Sequence, residues 1–68
     1  MMNQPQVYNT FIHFKPGSSF ADRERHLQQQ IQQIKLALES KGYFPLEHQV
    51  NTTNDAKASV SVFYLLPS

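Results

Sequence analysis

SFADRERHLQQQIQQIKLALESKG, residues 19–42, is the only long stretch of this 68-residue chain with sustained helical periodicity, and the other segments must be arranged around it. Phe20, Leu27, Ile31, Ile34 and Leu38 fall on one line when each residue is turned by ~100° about a helix axis, and the glutamines fall elsewhere. The spacing predicts one helix over 19–41 with a narrow apolar stripe. Ser18 or Ser19 can cap its start, and Ser19 with Asp22 approximates the capping-box spacing. Asp22 and Glu24 sit where the helix dipole favours carboxylates, while Lys35 and Glu39 are placed to pair one turn apart. Gly42 supplies the residue that ends the last turn.

The four-three-four spacing from Leu27 to Leu38 would also suit a short coiled-coil seam, but a small sheet needs a cover, and the stripe is read as that cover. Glutamine is an uncharged and acceptable helix former, so Gln28–Gln30 with Gln32 and Gln33 reads as a solvated face. Leu36 stands alone among these glutamines, opposite the stripe.

Working outward, Val7–Phe14 is rich in β-branched and aromatic residues and reads as a strand, with residues 1–6 as a flexible arm before it. Its alternation places Tyr8, Thr10, Ile12 and Phe14 on the core face and Val7, Asn9, Phe11 and His13 on the other. Lys15–Ser18 is a turn. Beyond the helix, Tyr43–Val50 is a second strand, read by alternation with Phe44, Leu46, His48 and Val50 on one face. Pro45 lacks a ladder donor and assigns this strand to an edge. Asn51–Lys57 is a polar hairpin loop, and Ala58–Leu66 is the most regular strand, with Ala58, Val60, Val62, Tyr64 and Leu66 on one face.

These elements predict an α+β fold: a single split β-α-β-β unit whose three-stranded antiparallel sheet, in order 1-3-2, is covered on one face by the helix. The order 1-2-3 ranks second because it would bury Pro45 mid-sheet. The uncovered face carries a surplus of apolar residues, and Val7, Phe11, Tyr43, Phe63 and Leu65, with Leu36 on the helix, are the candidate interface residues.

A chain this small buries only about 60% of its unfolded surface, and with no cysteine it has no disulfide or thiolate-metal staple. Oligomerisation is then the common way to enlarge the core. The partner expected is therefore the chain itself or another protein. Net charge is +1 with the cations scattered, so composition does not favour a polyanion. Single-stranded nucleic acid stacked on Tyr8, Phe11, Phe14, Phe63 and Tyr64 is the second reading. No apolar run reaches the ~18 residues of a membrane span, and a cytoplasmic, non-enzymatic protein is expected.

His13, His26 and His48 lie in three different elements without metal-ligand spacing, so no metal is assigned. Glu47 and His48 are adjacent strand residues that point to opposite faces, and no nucleophile elbow or phosphate loop is present. In length and element order the chain resembles dodecin, a flavin-storing assembly. The tryptophan with which dodecin stacks flavin has no counterpart here, and no cofactor is assigned.

Overall fold

Val60 and Val62, both essentially inaccessible to solvent, lie in the middle of the central strand, and the rest of the protein is built out from them. The computed structural model describes residues 4–67. The elements are β1 (Gln6–His13), α1 (Phe20–Ser40), β2 (Phe44–Thr52) and β3 (Lys57–Leu65). The three strands form one antiparallel sheet in the order β1-β3-β2, the order that spares Pro45 a central position. Of the expected arm, Met1–Asn3 lie outside the described residues, Gln4 and Pro5 precede β1, and Gln6 already pairs with Tyr64.

Register explains the core. Tyr8, Thr10 and Ile12 of β1 stand opposite Val62, Val60 and Ala58 of β3, so the β-branched residues of both strands share the face turned to the helix. Leu27, Ile31 and Leu38 of α1 complete a buried cluster with Ile12, Ala58, Val60 and Val62, flanked by Phe14, Ile34, Tyr43 and Tyr64. Each fully buried aliphatic side chain contributes roughly 1.5–3 kcal/mol, which makes these few residues the main source of stability.

The helix begins as its sequence implies. Ser19 has extended backbone (φ −73°, ψ 165°), and its Oγ accepts a hydrogen bond from the Asp22 N–H at 3.1 Å. The Arg23 guanidinium donates to the Ser18 carbonyl at 2.6 Å, tying the turn to the first helical residues. Two expectations fail at the helix surface. Phe20, though in line with the stripe, is 72% exposed: burial begins at Leu27, so the first two turns overhang the end of the sheet. Among the described residues the ion pair that forms is Asp22–Arg25 at 3.3 Å, three residues apart near the helix start, and not Lys35–Glu39.

At the other end, Lys41 and Tyr43 N–H groups both donate to the Leu38 carbonyl (3.1 and 3.0 Å), and Gly42 N–H donates to Glu39 (2.9 Å). Gly42 has φ +86°, a conformation that residues with a Cβ rarely adopt, and this is what stops the helix and turns the chain into β2. The β2–β3 hairpin is tighter than expected, since β2 runs on to Thr52. Asn54 closes it by accepting from the N–H groups of Ala56 (2.7 Å) and Lys57 (3.1 Å) on its Oδ1.

β2 departs from regular alternation. Phe44 and Pro45 oppose Leu65 and Tyr64, but the next pair is His48 with Val62, so one extra residue lies between them. This β-bulge turns Phe44 to the opposite face from His48 and Val50, with which strict alternation grouped it. Among the described residues no helix is long and apolar enough to cross a membrane.

Candidate functional site: the open face of the sheet

The helix packs on β2 and β3 from one side and leaves the other side of the sheet bare. Cross-strand pairs lay out that bare face in rows. At one end, Phe44 opposes Leu65 and Val7 opposes Phe63, forming an apolar corner in which Phe44 is 66% and Val7 47% exposed. The next row is polar: Asn9, Ser61 and Gln49 lie side by side, and Ser61 donates to Asn9 Oδ1 at 2.6 Å. Beyond it come Phe11, Ser59 and Asn51, with the Ser59 hydroxyl 3.4 Å from the Asn51 carbonyl. Lys57 holds its ammonium 4.8 Å from the centre of the Phe11 ring, a cation–π contact that partly caps this aromatic.

The candidate interface residues therefore separate. Val7, Phe63 and Leu65 come together at the corner. Phe11 shares their face but stands four residues along β1 from Val7, about 13 Å away at ~3.3 Å per residue, behind the polar row. Tyr43 does not join this face. It precedes β2, and the turn at Gly42 folds it back under the helix, where its ring stacks on Tyr64 with centroids 5.2 Å apart. Leu36 is exposed on the outer surface of α1, away from the sheet.

Phe44 is the residue that the sequence reading missed. Its exposure follows from the bulge, and Pro45 beside it is the one sequence signal that β2 is irregular there.

The same register divides the aromatics weighed for base stacking. Phe11 and Phe63 face outward, whereas Phe14 and Tyr64 pack against the core and Tyr8 lies on the helix side. Of the five aromatics weighed, the open face thus holds two, Phe11 and Phe63, set apart by the polar row. The histidines are equally dispersed: His13 sits beside Lys57, His26 meets the Phe14 ring edge-on at 6.2 Å, and His48 opposes Val62. Among the described residues no three His, Asp or Glu side chains form a group that would hold a metal.

No family model, no curated protein and no solved structure matches the chain.

Proposed function

We propose that this protein is a small, non-enzymatic interaction module of the cytoplasm that works by pairing with a second copy of itself through the apolar corner of its open sheet face. The observation that carries this reading is the apolar corner itself, where Phe44 and Val7 are both exposed beside Phe63 and Leu65.

The corner suits a self-complementary contact. A two-fold axis through it sets the Phe44, Leu65, Phe63 and Val7 cluster of one protomer on that of the other, giving the sheet the second layer that a single helix cannot supply. The neighbouring polar row is uncharged, so two copies approach without Coulomb repulsion.

Sedimentation equilibrium tests the reading with the parent chain and with Phe44→Lys. Phe44 contributes little to the core, so the variant keeps its fold. A dimer at low micromolar concentration that Phe44→Lys converts to monomer is the expected result. A parent chain that is still monomeric at about 100 μM, where even a weak dimer of ~−5 kcal/mol is populated, overturns self-pairing. Docking on a larger protein would then be the form of interaction left.

A further inference from the structure

All three tyrosines of the chain line one recess, and none of its five phenylalanines does. Tyr8 from β1, Tyr43 from the turn before β2 and Tyr64 from β3 converge beneath the C-terminal half of α1, around a solvent-open depression of about 380 Å³. The recess exists because the helix packs on β2 and β3, leaving the start of β1 without a cover, and because Ala37 presents only a methyl group at that level.

The lining has a definite chemistry. Tyr43 and Tyr64 stack on each other with their planes inclined by 20°, and Tyr8, 45% exposed, is the third ring of the lining. Phenols combine an apolar ring with a hydrogen-bonding tip, which suits a wet pocket better than phenylalanine does. Lys41 supplies the charge at the mouth, and no carboxylate belongs to the lining. Among the described residues Lys41 has no ion-pair partner.

Three of the last carbonyls of the helix are already hydrogen-bonded. The Ala37 carbonyl accepts from the Ser40 hydroxyl, Leu38 from the Lys41 and Tyr43 N–H groups, and Glu39 from Gly42. An aromatic lining, phenol and amide donors and one unpaired ammonium together suit a flat ring that carries a negative group.

We propose that this recess binds a small planar aromatic carboxylate, its ring among Tyr8, Tyr43 and Tyr64 and its anionic group at Lys41. The volume lies at the low end for ligand cavities and admits one or two fused rings. The site is on the opposite side of the sheet from the apolar corner, so it stands or falls independently of self-pairing.

Isotope-labelled protein titrated with naphthoate, and separately with uncharged naphthamide, tests the proposal by NMR. The expected result is saturable shifts centred on the amides of Tyr8, Ala37, Tyr43 and Tyr64, with naphthoate binding several-fold tighter than naphthamide. Lys41→Gln, at an exposed position that leaves the fold intact, removes that advantage, while Phe44→Lys leaves both titrations unchanged. Shifts that do not saturate by about 5 mM, or that centre on the open sheet face, overturn the site. Equal naphthoate affinity in the parent and in Lys41→Gln overturns the assignment of an anionic ligand.

Discussion

Pro45 and His48 are three positions apart along β2, yet they stand opposite Tyr64 and Val62, which are only two positions apart along β3. The extra residue between them decides which face Phe44 occupies, and with it the make-up of the apolar corner. Deleting Glu47, an exposed residue inside this irregularity, makes β2 and β3 pair one for one. Phe44 then has to exchange faces or the register has to slip. The deletion should lower the unfolding free energy in urea by about 1–3 kcal/mol, whereas Glu47→Gly should cost less than about 1 kcal/mol. A deletion variant as stable as the parent would mean that the bulge does not fix β2.

The stripe of α1 is sharply graded. Ile31 is 3% exposed and Leu36, five residues on, is 53% exposed. Ile31→Ala should cost about 2–5 kcal/mol by removing contacts with the valines of β3. A domain of this length is stable by roughly 3–10 kcal/mol, so that loss brings the chain close to unfolding at room temperature. Leu36→Ala should change stability by no more than ~0.5 kcal/mol and leave the sedimentation profile as it was. If Leu36→Ala instead abolished self-association, the helix surface and not the sheet would be the contact.

The N-cap gives a cleaner measurement, because Ser19 is exposed and its side chain bonds to the helix start. Its Oγ satisfies the Asp22 N–H, and loss of that bond in Ser19→Ala should cost about 1 kcal/mol. Ser19→Asp keeps an acceptor in place and adds a charge at the favourable end of the dipole, so it should match or exceed the parent. Thermal melts of the two variants side by side check both statements. A Ser19→Ala variant as stable as the parent would show that the cap hydrogen bond is not formed.

The helix, the strand order and the core face of β1 were legible in the chain because each rests on a periodicity sustained over many residues, or on a plain exclusion such as Pro45 from the sheet centre. What escaped was decided by single residues. One inserted position in β2 reverses Phe44 without altering the apolar pattern. One positive φ at Gly42 carries Tyr43 under the helix, where strand alternation had placed it outside. Phe20 continues the stripe faithfully, but the pattern holds no information on where the sheet beneath it ends. The tyrosine recess is still further from view, since it depends on three segments distant in sequence meeting at one place.

His48 illustrates how a single atom can be at odds with its surroundings. The side chain lies on the helix face of β2 opposite Val62, half-buried, and its Nδ1 is shielded from solvent with no hydrogen-bond partner among the described residues. A buried polar atom left unpaired costs about 1–3 kcal/mol relative to its hydrated state in the unfolded chain. His48→Leu removes the atom and keeps apolar volume against the core, so it should leave stability unchanged or raise it by up to ~2 kcal/mol, against the general tendency of substitutions at core-facing positions. His48→Ala removes the atom and the volume together and should fall below His48→Leu by roughly the packing lost. Urea midpoints of the three proteins separate the two contributions. If His48→Leu lost as much as His48→Ala, the imidazole would be making a polar interaction that stabilises the fold, and the nitrogen would have to be counted as paired in solution.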